Sequence, residues 1–258
     1  MQSELTLILS TPPDRLQQAR ETQLPIAHMA YRIGGGPHLF RSSQPVVPRG
    51  GLMALDDCGF DGRGEPGSFC REVVQECLAR QFSGVLCDLE GEHTDALARL
   101  LERLGKACAQ QGLTCYVPEA FGEKVPSARV LLSSALSGGT LSQRLEEAAG
   151  RFGRERVVLA VERVSMDFSL PAPSGGGTEL SRRELAELRS RLSPDIFFST
   201  ELCAQYFTYT SRRGGTHFVL FDDATSIRRK LSVARQHGLR FAILAYPQVD
   251  DLLDDILR

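Results

Sequence analysis

The chain has 258 residues, a length that suits one α/β barrel, and 42% of them are apolar, which is enough for a large core. The formal net charge is −2 and no basic run stands out, so the composition argues against a nucleic-acid partner. The first residues lack the basic start and the apolar run of a signal peptide, and no stretch approaches the roughly 20 apolar residues of a membrane span. We therefore expect a cytoplasmic protein with no membrane segment.

The pattern of the seven cysteines predicts free, buried thiols in a reducing compartment and not a disulfide framework. Their number is odd, and several fall on the apolar faces of predicted helices and strands. The sequence has no C-x-x-C and no His-x-x-x-His pair, so we expect no metal site. It also lacks a P-loop and a G-x-G-x-x-G fingerprint, and we expect no cofactor.

Eight apolar runs, mostly separated by helical patterns, follow one another along the chain. The predicted strands are 5–9, 26–33, 51–55, 83–90, 113–117, 129–132, 157–161 and 241–245. The predicted helices are 14–20, 69–81, a long one capped by Thr94 or Asp95 and ended by Gly112, then 141–152, 226–237 and 249–257. This order predicts a single (β/α)8 TIM barrel over residues 1–258.

The regular alternation breaks at about residues 166–223, between the seventh and eighth strands. This stretch contains a Pro/Gly-rich loop, a short helix and β-like segments. Ser181 and Glu184 have the spacing of a capping box, which indicates where that helix begins. Residues 203–209 and 217–221 have the pattern of a hairpin. We predict a small α+β insertion in the barrel.

The fourth predicted strand ends in two acids. Because residues two apart share a face of a strand, Leu86, Asp88 and Glu90 point the same way, with Leu86 deeper. Barrel enzymes have their active sites at the carboxyl ends of the strands. Two acids in this position are common, and one of them would often only cap the next helix.

Further polar side chains fall at other predicted strand ends. These candidates for substrate binding are Tyr31, Asp57, Glu119, Glu162 and Tyr246. His28 lies on the same strand as Tyr31 with opposite parity, and we interpret it as a packed core residue. With no nucleophile motif, metal spacing or phosphate loop, acid–base chemistry by carboxylates remains, and glycoside hydrolysis is a reaction that needs only carboxylates.

Residues 83–90 resemble the fourth-strand signature of glycoside hydrolase family 18, D-G-[VI]-D-[LI]-D-[WF]-E. Gly84, Val85, Asp88 and Glu90 match the signature. Further along, residues 156–170, the Y-F-x-Y segment 206–209 and residues 217–231 resemble the seventh strand, insertion and last helix of the spore-coat and cortex-lytic branch. Residues 30–33 are similar to the second strand of that branch.

This resemblance implies that Glu90 is a general acid that protonates the glycosidic oxygen. The 2-acetamido oxygen of the substrate would attack the anomeric carbon, and Asp88 would orient it, a route that differs from the two-carboxylate scheme. The implied substrate is a β-linked N-acetylglucosamine glycan such as peptidoglycan, spore cortex or chitin-like oligomers, and the implied location includes the spore. Glu119 or Glu162 would replace lost carboxylates.

The sequence departs from the family pattern at several places. Within the signature, Ser83 stands in place of the first aspartate and Leu89 in place of the aromatic residue. Leu86 stands where the signature has an aspartate, residues 132–135 lack the tyrosine of M-x-Y-D, and Tyr246 stands near the position of a tryptophan platform. Two further hypotheses therefore stay open. The chain would be a non-catalytic barrel that binds glycan or a protein partner, or an unrelated barrel enzyme with an anion or metal at its mouth.

Overall fold

The structure is a computed structural model that describes residues 4–42, 48–89, 91–92, 94–136, 139–171, 176–211 and 214–258. In these ranges the strands are β1 (Thr6–Thr11), β2 (Ile26–Gly34), β3 (His38–Arg41), β4 (Leu52–Asp56), β5 (Gly84–Cys87), β6 (Thr114–Pro118), β7 (Arg129–Ser133), β8 (Val157–Val161), β9 (Ser165–Leu170), β10 (Gly177–Glu179), β11 (Phe197–Ser199), β12 (Ala204–Thr210), β13 (Thr216–Phe221) and β14 (Phe241–Ala245). The α-helices are α1 (Leu16–Glu21), α2 (Pro66–Arg80), α3 (Asp95–Gln110), α4 (Leu141–Phe152), α5 (Arg182–Leu192), α6 (Ala224–Gln236), α7 (Tyr246–Val249) and α8 (Leu253–Leu257).

Eight parallel strands form a closed barrel, so the predicted fold class is confirmed. Their order is β1, β2, β4, β5, β6, β7, β8 and β14, and β14 pairs with β1 to close the ring. Helices lie between most successive barrel strands, as expected for a (β/α)8 barrel. In the described part of the chain, the exceptions are β2 to β4, which β3 connects, and β6 to β7, which a short 3₁₀ turn connects. Among the described residues, no helix combines the length and apolar character that a membrane span requires.

The core has two kinds of layer. Inside the barrel a compact cluster fills the lumen with short and branched side chains, among them Ala54, Leu86, Val158 and Ile243. Outside, two larger clusters lie between the strands and the helices. The barrel strands are apolar on both faces because one face is buried in the lumen and the other under the helices.

The insertion forms a separate antiparallel sheet of five strands in the order β10, β9, β13, β12, β11. The predicted hairpin is present as β12 and β13, although its turn includes residues 212 and 213, which lie outside the described residues. One face of the sheet packs Phe207, Val219 and Phe221 against Leu185 and Leu188 of α5. The helix begins with the predicted capping box, in which Ser181 and Glu184 exchange side-chain and backbone hydrogen bonds.

Asp167 joins the three central strands of the insertion sheet, on the face that packs against α5. The carboxylate of Asp167 on β9 accepts a hydrogen bond from Tyr209 Oη of β12 at 2.7 Å. Its other oxygen lies 2.9 Å from His217 Nδ1 of β13, and the Tyr209 and His217 rings stack at 4.6 Å. Burial, with this hydrogen bond, raises the pKa of Tyr209 to about 12.

Two predicted elements differ from the structure. β3 extends the barrel sheet by pairing antiparallel with β2, in a segment expected to be loop. The closing helix predicted for 249–257 is two short helices, α7 and α8, with a turn over residues 250–252. Two ion pairs hold the turn: Asp250 pairs with Arg182, and Asp251 pairs with Arg163.

Candidate functional site

A cavity of about 480 Å³ lies at the carboxyl ends of the barrel strands. This is the end at which barrel enzymes carry their active sites. Most of its lining is aliphatic, and its polar groups are few, as in small-molecule sites generally. The lining residues are Ser10, Met29, Leu86, Asp88, Leu89, Leu131, Ala160, Val161, Glu162, Ile243, Ala245, Pro247 and Gln248.

Asp88 enters the cavity directly above the barrel core. Leu86, two residues earlier, is only 2% exposed and belongs both to the lumen cluster and to the cavity lining. Strand alternation puts Asp88 on the same face, at the first position beyond β5. Its backbone N–H donates to Leu55 O at 2.8 Å, so the parallel ladder continues to this residue and fixes its backbone.

Glu90, the predicted acid, lies outside the described residues. The structure does describe its neighbour Gly91, whose N–H donates to both carboxylate oxygens of Asp57 at 3.2 and 3.3 Å. A Cβ at position 91 would lie 2.5 Å from Asp57 Oδ2, so any larger residue would displace this carboxylate from its present position. Asp57 therefore holds the backbone that follows Glu90, and it does not line the cavity.

Glu162 lies on the cavity wall at the end of β8, on the strand face of Val158 and Ala160. Its backbone is held from two sides. Glu162 N–H donates to Ser134 Oγ at 3.0 Å, and its carbonyl oxygen lies 3.4 Å from Lys230 Nζ. A glutamate on a fixed backbone at the mouth is well placed to contact a ligand.

The support under Glu162 is a buried ion pair between Lys230 of α6 and Asp222, which follows β13. Nζ and Oδ2 are 2.6 Å apart, and the two side chains are 1% and 0% exposed. Asp222 also accepts hydrogen bonds from Val164 N–H at 2.8 Å and from Ser226 Oγ at 2.7 Å. This network joins the insertion, α6 and the end of β8, and sequence reasoning assigned no role to either charge.

The predicted ligand Tyr31 lies outside the barrel lumen. Ala27 lies in the lumen, and Met29, two residues later on the same face, lines the cavity. A bulge in β2 between Met29 and Tyr31 then shifts the alternation by one residue, so Tyr31 faces outward. His28 and Tyr31 both contact Phe82 on the outer side, with ring centroids 5.6 and 5.9 Å away. Tyr31 Oη donates to Glu76 of α2 at 3.0 Å. His28 is buried, as predicted for a packed core residue.

Glu119 and Tyr246 also lie away from the cavity lining. Glu119 is in a short 3₁₀ turn after β6 and accepts a hydrogen bond from Arg144 Nη2 at 2.8 Å. Tyr246 is 8% exposed and packs in the outer hydrophobic layer. Burial raises its pKa. The residue that lines the cavity at the end of β14 is Ala245, one position earlier.

Arg163, next to Glu162, is occupied by partners on the α7 side. Its Nη1 donates to the carbonyl of Gln248 at 2.9 Å and to Asp251 at 2.6 Å. The backbone N–H of Arg163 donates to Gln248 Oε1 at 3.2 Å. These contacts fix the segment on which Gln248 lines the cavity. Gln248 and Ser10 are mouth residues that no motif indicated.

A row of four aromatic rings crosses the insertion sheet on the face opposite α5. The centroids of Phe197 and Tyr206, Tyr206 and Phe218, and Phe218 and Phe168 are 5.7, 5.3 and 6.3 Å apart. The ring of Phe197 is 53% exposed, and the other three are half-buried. Neighbouring rings are tilted by 28 to 46°, and together they form an aromatic surface in a chain without any tryptophan.

Within the described ranges, no three His, Cys, Asp or Glu side chains are grouped closely enough to hold a metal ion. The polar groups of the mouth are thus carboxylates, an amide and a hydroxyl. Such a set suits proton transfer and hydrogen bonding to a neutral polar ligand.

A scan against protein-family models finds no match for the chain. Among curated proteins, a Bacillus subtilis protein named as a sporulation-specific glycosylase, YdhD, is 24% identical over 101 residues. The match covers 39% of this chain and spans about a quarter of the length of that relative, 24%.

Solved structures match over almost the whole chain. The spore cortex-lytic enzyme SleL of Bacillus megaterium aligns with a TM-score of 0.66 and 16% identity, over 99% of this chain and 74% of its own. A chitinase from Chromobacterium violaceum aligns with a TM-score of 0.71 and 16% identity, over 98% of both chains. The chain therefore has the barrel fold of spore-lytic enzymes and chitinases, and the resemblance found in the sequence is confirmed at the level of fold.

Proposed function

We propose that the protein is a glycoside hydrolase that acts on β-linked N-acetylglucosamine glycans of the peptidoglycan, spore-cortex or chitin type. The observation that carries this proposal is the position of Asp88, in a cavity at the carboxyl end of a barrel shared with a cortex-lytic enzyme and a chitinase. Glu90 follows two residues later, at the position that the sequence resemblance gives to the general acid.

In the proposed reaction, Glu90 protonates the glycosidic oxygen as the bond to the anomeric carbon breaks. The 2-acetamido oxygen of the substrate attacks the anomeric carbon, and Asp88 orients and stabilises the acetamido group. Water then opens the cyclic intermediate, with Glu90 accepting its proton. The interaction of Asp57 with Gly91 supports this assignment, because it restrains the backbone directly after the acid.

Glu162 is proposed as the second polar wall of the site. It faces the cavity from β8, whereas Asp88 enters from β5. From that side its carboxylate would accept hydrogen bonds from sugar hydroxyls. Glu119, the other candidate replacement, binds Arg144 away from the cavity and has no part in the proposal.

The aromatic row on the insertion supports a glycan ligand. Neighbouring rings are 5.3 to 6.3 Å apart, close to the separation of strands in a sheet and comparable to one sugar unit of an extended β-linked chain. Aromatic faces bind the apolar faces of sugar rings, so we propose that Phe197 and Tyr206 contribute a glycan-binding surface on the insertion.

A non-catalytic glycan-binding barrel is the second candidate function. The observation that favours it is Leu86, which is buried among apolar lumen residues at the position of a family aspartate. Loss of a preorganised charge near the reacting centre typically costs about 3 kcal/mol of transition-state stabilisation. The same cavity would then bind glycan without cleaving it.

Hydrolysis of chromogenic N-acetylglucosamine oligomers and of muropeptides separates the two functions. We expect wild type to be active, Glu90→Gln to lose at least about 100-fold in kcat, and Glu162→Gln to raise KM. Glu92→Gln is the matched control, since Glu92 is an exposed acid on the same loop. Equal activity in wild type and Glu90→Gln would exclude Glu90 as the acid. Glycan binding by wild type without turnover would establish the non-catalytic barrel.

A further inference from the structure

A second cavity, of about 510 Å³, lies on the outer surface between α2 and α3 and shares no lining residue with the mouth cavity. Its floor is apolar and includes Cys70, Val74 and Ala107. Its rim is cationic, with Arg71 on α2 and two further cations on α3. The full lining is Gly67, Cys70, Arg71, Val74, Gln75, Arg103, Lys106, Ala107, Gln110 and Gln111. We call this surface the α2–α3 groove.

The side chains that line the groove carry positive charge, although the net charge of the chain is −2. Three cations and three glutamine side chains line it, and no carboxylate does. Arg103 pairs with Glu65 at 3.5 Å and Lys106 with Glu102 at 2.6 Å, but both pairs are largely exposed. Exposed ion pairs contribute little to stability, so these cations are available to a better-placed anion.

The lining residues follow helical spacing on both sides of the groove. On α2 they recur from Gly67 to Gln75, and on α3 from Arg103 to Gln110, which is about two turns or roughly 10–12 Å at 1.5 Å per residue. Leu78, one turn beyond Val74, continues the apolar stripe and is 53% exposed. Two parallel helices with an apolar stripe between them form the groove into which a third helix packs.

We propose that the α2–α3 groove binds an acidic amphipathic helix of a protein partner. The apolar residues of that helix pack on Val74, Ala107 and Leu78. Its carboxylates, on the two flanks of the apolar stripe, pair with Arg71 on one side and with Arg103 and Lys106 on the other. The groove shares no residue with the mouth cavity, and the proposed binding does not depend on the proposed glycan chemistry.

The probe is a fluorescein-labelled peptide of about 15 residues, a length at which an isolated helix is marginally stable. It carries leucines at i, i+4 and i+7 with glutamates on both flanks, and a second peptide has every glutamate replaced by glutamine. We expect fluorescence anisotropy with the full chain to show binding of the glutamate peptide only. Binding should weaken as salt is raised, because exposed charges are screened.

Two variants of the full chain locate the site. Arg71→Glu/Arg103→Glu should weaken binding at least about tenfold, and Leu78→Ser should weaken it severalfold. All three side chains are exposed, so folding is preserved. The matched control is Arg183→Glu/Arg235→Glu, which makes the same change in net charge on α5 and α6.

Three results would overturn the proposal: no binding of the glutamate peptide, equal binding of the glutamine peptide, or equal affinity of the groove and control variants. Analytical ultracentrifugation of the chain alone gives a fourth. Self-association that Arg71→Glu/Arg103→Glu abolishes would make a second copy of the chain the occupant, in place of a partner helix.

Discussion

Replacing Lys230 by methionine tests the buried ion pair that supports the mouth. The substitution keeps a long apolar side chain and removes the ammonium group 2.6 Å from Asp222. Asp222 would keep the hydrogen bonds from Val164 N–H and Ser226 Oγ. Its charge would remain buried with no countercharge at that distance.

Removing one partner of a buried ion pair typically costs about 3–5 kcal/mol, because the other charge is left uncompensated. The two remaining donors solvate part of the Asp222 charge, so we expect the low end, about 3 kcal/mol in the free energy of unfolding. The double variant Asp222→Asn/Lys230→Met removes both charges and should cost less than Lys230→Met alone.

Lys106→Met is the matched control. Lys106 and Glu102 are also 2.6 Å apart at i, i+4 spacing on a helix, but their side chains are 64% and 45% exposed. We expect a change of about 0.5 kcal/mol or less for this exposed pair. Urea unfolding followed by circular dichroism measures these three variants and the single variant Asp222→Asn, with unchanged slopes as the test for two-state behaviour.

Equal costs for Lys230→Met and Lys106→Met would refute this reasoning, because burial would then have no effect on the pair. A double variant that costs the sum of its two single variants would refute it as well, because the two charges would not be coupled.

Burial lowers the pKa of His28 to about 4, so the unfolded chain takes up a proton between about pH 6.5 and 4 that the folded chain does not. The free energy of unfolding should therefore decrease as the pH falls through this window, by about 2 kcal/mol between pH 7 and 5. This loss should be absent in His28→Gln when urea midpoints are compared. Glu119→Gln should leave turnover of chitin oligomers unchanged and alter unfolding by less than about 1 kcal/mol, since Glu119 meets Arg144 in a partly exposed pair. Of the seven cysteines, only Cys58 is exposed, and a thiol reagent should titrate one group in the native chain and seven after denaturation.

The barrel follows from the sequence because its strands carry a strong local signal. Each is a short apolar run between turn residues, and burial on both faces selects such runs. β3, over residues 38–41, has no comparable run, because its residues are exposed or half-buried. It exists through pairing with β2, a tertiary contact that local sequence does not encode.

The faces of the strands are harder to predict than their positions. One extra residue in β2 after Met29 turns Tyr31 outward, and a bulge has no composition signal in this segment. At the end of β14 the same problem arises, because Ala245 lines the cavity and Tyr246 does not. The sequence prediction chose Tyr246 for the site because of its residue type. Strand alternation instead puts Ala245 on the cavity face, two residues after Ile243.

Several residues at or near the mouth depart from the pattern that the family resemblance implied. Where the family resemblance implied an acid, a tyrosine and a tryptophan, the chain has Leu86, Ser134 and Tyr246, and Tyr246 leaves the cavity face of β14 to Ala245. The result is a wide aliphatic mouth above an apolar lumen. In the proposed reaction few protein groups are then left to hold the acetamido oxygen, so catalysis depends on Asp88 and on the nucleophile that the substrate itself carries. Selectivity for N-acetylated sugars would follow from that dependence, because a ligand without the acetamido group has no internal nucleophile to offer.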